Sequence, residues 1–172
     1  IADAKSEIIK NIQKNGTIIL NRDDKFFNYL EKKAKIKNLK VVTFGVNKNS
    51  DVCLKKVITK KKNKVLTIKI INQTFKIIIN NINFYNVLSS LALLKVLNLE
   101  FSQILNFYKN IEPTGGRGKI HKIYRYKKKF NFIDESYNAN PLSVKNAILN
   151  FNSIKKENFK KYLLLGDMLE LG

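Results

Sequence analysis

Between Thr17 and Val46 the chain reads apolar strand, amphipathic helix, apolar strand, and no other stretch narrows its fold as much. Thr17 to Leu20 is a short β-prone run set off by Gly16. Asp24 to Ile36 puts Phe26, Phe27, Leu30 and Ala34 on one helical face, and Val41 to Val46 is a second apolar run. Two buried strands joined through a helix need a crossover, so this spacing predicts a parallel α/β sheet. Upstream, Asp3 to Gln13 reads as a helix with Ala4, Ile8 and Ile12 on one face. Asn21, Asp23 and Asp24, in the segment NRDD, read as a turn and helix cap.

Asp51 to Ile79 departs from this alternation. Val52 to Thr59, Val65 to Ile71 and Thr74 to Ile79 are strand-like, with Lys60 to Lys64 and Asn72-Gln73 as turns. Valine, isoleucine and threonine alternate with lysine there, which predicts an antiparallel excursion with one wet face. Two helices are expected next, Asn83 to Leu97 and Phe101 to Asn110, the second started by Glu100 or Ser102. Pro113 and Gly115-Gly116 close the block and set a domain boundary near residues 112 to 118, giving domains 1–112 and 113–172.

Past that boundary a strand pair is expected, Lys119 to Tyr126 and Phe130 to Ile133, with Asp134 and Glu135 at its end. Asn140-Pro141 reads as an N-cap with proline at the first helical position, and Val144, Ala147, Ile148 and Phe151 follow at one-face spacing. Tyr162 to Leu165 is a continuous apolar run ending in Gly166-Asp167 and is expected to be a buried strand. Carboxylates at a strand's carboxyl end, beside a helix N-terminus, are well placed to meet a substrate or a metal.

Composition excludes several classes. The 44% hydrophobic content over 172 residues supports a substantial core. Cys53 is the single cysteine, so no internal disulfide forms, which fits a reducing cytoplasm. The longest apolar run, Val87 to Leu97, is interrupted by Ser89, Ser90 and Lys95 and is too short to span a bilayer, so no membrane role is expected. A net charge of +20 would suit nucleic acid, but the arginines are only Arg22, Arg117 and Arg125. Arginine reads bases and phosphates bidentately, and lysine does not. The excess is read as solvated lysine faces in a sequence rich in lysine, asparagine and isoleucine, with no nucleic-acid partner. His121 lies in a lysine-rich strand and is given no catalytic part.

The segments DESYNANP (134–141) and GDMLELG (166–172), in that order and joined by a helix, resemble the Mur ligases. These are ATP-dependent amide-forming enzymes of peptidoglycan precursor synthesis. The resemblance implies a fold of two parts: 1–112 as the later part of a central ATP-binding domain, and 113–172 as a linker and the start of a Rossmann-like C-terminal domain. It implies ATP and Mg²⁺ as cofactors. Tyr137 and Asn138 in the first loop, with Asp167 and Glu170 in the second, are implied to bind substrate. The partners implied are UDP-N-acetylmuramoyl-tripeptide and D-alanyl-D-alanine, in a cytoplasmic enzyme expected to be a monomer.

Further residues take roles from the same resemblance. The opening IADAKSEI is similar to the family's Ala-Lys-x-Glu-Ile helix, whose lysine is carbamylated and helps to hold magnesium, which makes Lys5 the catalytic and metal candidate. A carbamate supplies two anionic oxygens where an ammonium would repel the cation. INFYNVLSSLA (82–92) is similar to the family's adenine-site helix, with Asn83 and Asn86 matching its asparagines. An amide offers both a donor and an acceptor to an adenine edge, although Asn83 also suits an N-cap. Ile82 stands where the family usually has histidine, and Ser89-Ser90 where it has alanines. EPTGGRGK (112–119) resembles the family's interdomain linker, whose arginine reaches the ATP phosphates, here Arg117. Asp134 is the preferred acid beside the nucleotide and Glu135 the alternative. Asn140 reads better as a turn and cap residue.

The implied mechanism is carboxylate attack on the γ-phosphate, followed by displacement of phosphate from the acyl phosphate by the dipeptide amine. No G-x-x-x-x-G-K-[ST] phosphate loop occurs in the sequence. The expectation is therefore an internal piece of a longer ligase, inactive alone, with apolar sheet edges that favour aggregation. The alternatives are a related amide ligase, either another Mur ligase or a folylpolyglutamate synthase, and a non-catalytic binding module.

Overall fold

The computed structural model describes residues 2–60, 63–80, 82–102, 104–154 and 160–168. The chain divides into two compact units, Ile1–Ile111 and Glu112–Gly172.

The first unit is built on a five-stranded sheet in the order β1-β2-β3-β4-β5. Its strands are β1 (Thr17–Asn21), β2 (Lys40–Gly45), β3 (Val52–Lys60), β4 (Asn63–Ile70) and β5 (Gln73–Ile79). β1 and β2 run parallel in register Thr17↔Lys40 to Asn21↔Phe44, and β2 pairs parallel with β3 at Phe44↔Val52 and Gly45↔Cys53. β3, β4 and β5 are antiparallel, as the alternation of lysine with β-branched residues requires. A register shift between Leu54 and Lys56 marks a bulge. Before it β3 is buried, and beyond it exposed.

Side-chain alternation along the strands feeds two cores, one on each face. Ile18 and Leu20 of β1 pack with Ile9 of α1 (Ala2–Asn11) and with Phe27 and Ala34 of α2 (Phe27–Ile36). Ile19, Val42 and Phe44 belong to the opposite face. There Leu66, Ile68, Ile77 and Ile79 close against Val87, Leu88, Leu91 and Ala92 of α3 (Phe84–Val96). Each fully buried leucine or isoleucine contributes about 1.5–3 kcal/mol through lost apolar exposure. Asn38 and Asn98 end α2 and α3 at φ 57° and 54°. The bonds Leu39 N–H to Ala34 O and Leu99 N–H to Leu94 O complete a left-handed cap at each end.

The helix expected from Phe101 to Asn110 is only a 3₁₀ segment, Leu105–Asn110. Ser102, expected to start it, donates its hydroxyl to Glu100 at 2.7 Å, and the segment has no side-chain cap.

The second unit holds the hairpin β6 (Lys119–Arg125) and β7 (Lys128–Asp134), paired from Lys119↔Asp134 to Arg125↔Lys128. Its turn is Tyr126-Lys127, both at positive φ. Helix α4 (Pro141–Ser153) begins at a capping box: the Asn140 side chain accepts from Ser143 N–H, while Ser143 Oγ accepts from Asn140 N–H. Val144, Ala147 and Phe151 lie half-buried on one face of α4.

Tyr162 to Leu165 is not a strand. The run is exposed, Leu164 at 92%, and no described strand pairs with it. Apolar content alone does not make a strand, which exists only where a neighbour takes its N–H and C=O groups.

Candidate functional site

The predicted residues fall into two groups, one in each unit. In the first unit, β1 and β2 end side by side and the first turn of α3 lies next to them. Asn83 is the N-cap of α3, and its Oδ1 accepts Tyr85 N–H at 2.9 Å. That bond engages the Asn83 amide oxygen, and its NH₂ is the group that carries donors. Asn86 is exposed, and its side chain makes no hydrogen bond among the described residues.

Asp23 does more than the turn and cap expected of it. Asp24 takes that part, accepting Phe26 N–H at 2.7 Å, and Asn21 Oδ1 accepts Asp23 N–H at 3.0 Å. The Asp23 carboxylate instead reaches the loop after β2, where Oδ2 accepts Val46 N–H at 2.6 Å and Oδ1 accepts Asn47 N–H at 3.0 Å. Tyr85 Oη donates to the same Oδ2 at 3.2 Å. Desolvation, followed by the charge of Asp23, raises the Tyr85 phenol above its ordinary range and keeps it a donor. Gly45 is required here, because a Cβ on it would lie 2.4 Å from Asp23 Oδ2.

A second polar cluster ties β2, β3 and α3 together. Asp51 Oδ2 accepts Thr43 N–H at 2.9 Å and Thr43 Oγ1–H at 2.7 Å, and Oδ1 accepts Lys95 Nζ at 2.7 Å. Partial burial works against the Asp51 charge, but the bonds from Lys95 and Thr43 outweigh it and lower the pKa. Three residues so far apart in sequence carry no local signal of this arrangement.

Lys5 stands exposed on α1, and its side chain makes no hydrogen bond among the described residues. Its helix is anchored to α2 by Asp3, whose Oδ1 accepts the Tyr29 hydroxyl and, at 3.3 Å, Lys33 Nζ. Among the described residues no group of three or more His, Cys, Asp or Glu is placed to hold a metal ion.

In the second unit the GGRG and DESYN segments interlock. Gly116 N–H donates to Asp134 Oδ2 at 3.1 Å, Gly118 N–H to Asp134 O at 2.7 Å, and Tyr137 N–H to Gly116 O at 3.2 Å. Asp134 Oδ1 accepts both the N–H (3.1 Å) and the hydroxyl (2.7 Å) of Ser136. The Ser136 hydroxyl, its N–H and then Gly116 N–H lower the Asp134 pKa. The carboxylate of Asp134 thus braces the two loops.

Glu135 differs. Its carboxylate leans over Gly118, where a Cβ would come within 3.0 Å of Oε1. Desolvation, then the neighbouring Asp134 charge, raises its pKa. Arg117 lies with its guanidinium 4.3 Å from the centre of the Tyr137 ring. Asn138 is exposed beside them. The interlocked loops therefore bring together Arg117, Asp134, Glu135 and Tyr137, while Asp167 stays exposed in the segment after α4. Glu170 lies outside the described residues.

Comparison with known proteins bears on the family and the fold. The pattern described as "Mur ligase middle domain" matches residues 1–94, more than half of the chain. Three curated relatives carry the description UDP-N-acetylmuramoyl-tripeptide--D-alanyl-D-alanine ligase. Those from Buchnera aphidicola and Bacillus subtilis are 28% and 30% identical, each over all of this chain and 36% of its own length. That from Rickettsia prowazekii is 29% identical over all of this chain and 38% of its own. The chain thus spans about a third of the length of these relatives.

Among solved structures, MurF from Acinetobacter baumannii superposes with a TM-score of 0.73 at 22% identity, covering 87% of this chain and 32% of that one. MurF ligase from Thermotoga maritima in complex with ADP gives 0.69 at 20% identity, covering 87% and 34%. Likeness at such identity speaks to the fold, which is of the expected α/β class, but the sheet is mixed rather than mostly parallel. β1, β2 and β3 run parallel, and β3, β4 and β5 antiparallel, because the short turns of the meander join only antiparallel neighbours. The match over residues 1–94, on a parallel β1-α2-β2 unit that opens into an antiparallel meander, places this chain in the Mur ligase family.

Proposed function

We propose that the protein carrying this chain is an ATP-dependent ligase that joins D-alanyl-D-alanine to UDP-N-acetylmuramoyl-tripeptide. The observation that carries this reading is that relatives of that one description align with the whole chain, through both units. Residues 1–112 are then the later part of the central ATP-binding domain, and 113–172 the linker and first part of the C-terminal domain. The protein would work in the cytoplasm as a monomer, without a nucleic-acid or membrane partner. No helix of the described residues is long and apolar enough to cross a membrane.

In this reading the tripeptide carboxylate attacks the γ-phosphorus of ATP, releasing ADP and leaving an acyl phosphate. The dipeptide amine then adds to the acyl carbon, loses a proton, and phosphate departs as the amide forms. Arg117, held against Tyr137, would meet phosphoryl charge as it shifts between oxygens. Asn83 and Asn86 would hold the adenine edge. Asp134 is engaged on both oxygens, so Glu135, with its raised pKa, is the carboxyl better placed to meet a ligand at this strand end. Tyr137, Asn138, Asp167 and Glu170 are assigned to the dipeptide side.

Mg²⁺ belongs to the proposal as the counter-ion of the nucleotide phosphates, with Lys5, once carbamylated, as its candidate ligand. The described residues do not by themselves make up its shell, and no step is derived through it.

The test is phosphate release by the whole purified protein with ATP, Mg²⁺ and both substrates, each omitted in turn. Release that needs both substrates, and that falls at least a hundredfold in Arg117→Ala, supports the reading. Release that does not depend on D-alanyl-D-alanine overturns it.

A further inference from the structure

The Asp23 carboxylate joins three pieces of chain at the carboxyl ends of two adjacent parallel strands. It leaves the end of β1, takes the two backbone amides that follow β2, and receives the Tyr85 hydroxyl from the first turn of α3. A carboxylate only accepts, so each of these bonds fixes a donor in place, and bonds to a charged acceptor are the stronger kind. Gly45 lets it approach, since any Cβ there would overlap the carboxylate. The partner tyrosine sits between Asn83 and Asn86, and its own N–H is bound by the Asn83 side chain. The phenol and the Asn83 amide are thus linked through one residue, so a shift of Tyr85 carries the Asn83 amide with it. Phe84, 4.4 Å from the Tyr85 ring centre, backs that ring from the same turn.

We infer that Asp23 is a positioning residue for the adenine nucleotide, acting through Tyr85 to set where Asn83 and Asn86 meet the base. The inference rests on the reading of α3 as the adenine-bearing helix. Asp23 touches no ligand in this scheme. It governs how tightly and how selectively the base is held, and leaves the acyl-transfer chemistry alone. Hydrogen-bond readout by an amide depends on direction, so a first turn free to rock would lose discrimination between an adenine edge and a guanine edge.

The experiment uses the whole protein with two variants. Tyr85→Phe deletes one oxygen and keeps the ring. Asp23→Asn keeps an acceptor but removes the charge. Steady-state rates would be measured against ATP, GTP and D-alanyl-D-alanine, alongside equilibrium titration with ADP and thermal unfolding. The expected result for each variant is a rise of about tenfold in KM for ATP and in Kd for ADP, with kcat and the KM for D-alanyl-D-alanine within twofold of the parent. The ratio of kcat/KM for ATP over GTP should narrow by a similar factor.

An unchanged ATP KM and ADP Kd in Tyr85→Phe would overturn the inference while leaving the ligase intact. So would a fall in kcat and melting temperature with no change in nucleotide affinity, since that is what a merely structural clamp would give. A parent protein that neither binds ADP nor requires ATP would overturn the underlying reading itself, and the two failures are therefore distinct.

Discussion

Gly115 and Gly116 are neighbours that the structure makes opposite in kind, and replacing each by alanine tests the interlocked loops directly. Gly116 has φ +73°, and a Cβ there would lie 2.8 Å from Tyr137 Cβ and 3.0 Å from Tyr137 N. A Cβ on Gly115 would meet nothing within 4 Å, and its φ is not positive. An L-residue in the left-handed region costs about 1–2 kcal/mol. Displacing Tyr137 would add the loss of its N–H bond to Gly116 O, worth about 1 kcal/mol at this exposed position. The sum, about 2–3 kcal/mol, lowers the ratio of closed to open loops by roughly 30- to 150-fold. Hydrogen–deuterium exchange followed by mass spectrometry over peptides spanning 114–119 and 134–138 reads that ratio. Gly116→Ala should speed exchange in both peptides together, because Gly116 and Gly118 N–H point to Asp134 and Tyr137 N–H points back. Gly115→Ala should leave both within twofold of the parent. Equal exchange in the two variants, or acceleration confined to 114–119, would refute the view that the loops hold one another.

Leu88 is fully buried between α3 and the sheet, so Leu88→Ala should destabilise the protein by about 2–5 kcal/mol in urea unfolding with an unchanged m value. The folded-state pKa of Asp51 lies below its unfolded value. Its stabilisation is therefore complete above the ordinary carboxylate range and is lost as pH falls through the folded value. Lys95→Met should flatten that acid-side loss in a pH series of melting temperatures. Tyr126 and Lys127 both hold positive φ in a two-residue turn, so Tyr126→Asn with Lys127→Gly should raise stability by about 0.5–1 kcal/mol, read by the same unfolding assay.

Periodicity made the parallel pair, the antiparallel meander and α3 readable, because each buries one face against a core that its own sequence supplies. The β6–β7 hairpin was readable from β-prone runs flanking a short turn, without a buried face. Asn140-Pro141 was readable as a cap for a local reason: the groups it satisfies lie within three residues. Asp23 was not. In NRDD the two carboxylates are chemically identical, and only the approach of the Val46 and Asn47 amides, 23 and 24 residues away, separates a clamp from a turn. The same holds for Thr43, Asp51 and Lys95, and for Arg117 over Tyr137, where distant elements create the partnership. Phe101 to Asn110 and Tyr162 to Leu165 mark the opposite error, a pattern without its context. In the first, Ser102 spends its hydroxyl on Glu100, and in the second no described strand offers a ladder. For Asp134 and Glu135 the sequence offered two adjacent acids, and the bonds to Gly116 and Ser136 are what separate a brace from a free carboxyl.

The order in which this sheet can assemble follows from its mixed pairing. β4 and β5 meet through Ile71-Asn72, and β3 and β4 pair from Lys60↔Asn63 outward, so the meander closes short loops. β1 and β2 come together only after α2 has crossed over, and β2 grips β3 through just two residue pairs. Loop-closure entropy then favours early formation of the meander with α3, with the parallel pair docking later. The carboxyl ends of β1 and β2, where Asp23 acts, would be the last part of the first unit to consolidate. Any ligand that binds them acts after the meander has formed, so it would slow unfolding of the sheet more than it speeds folding.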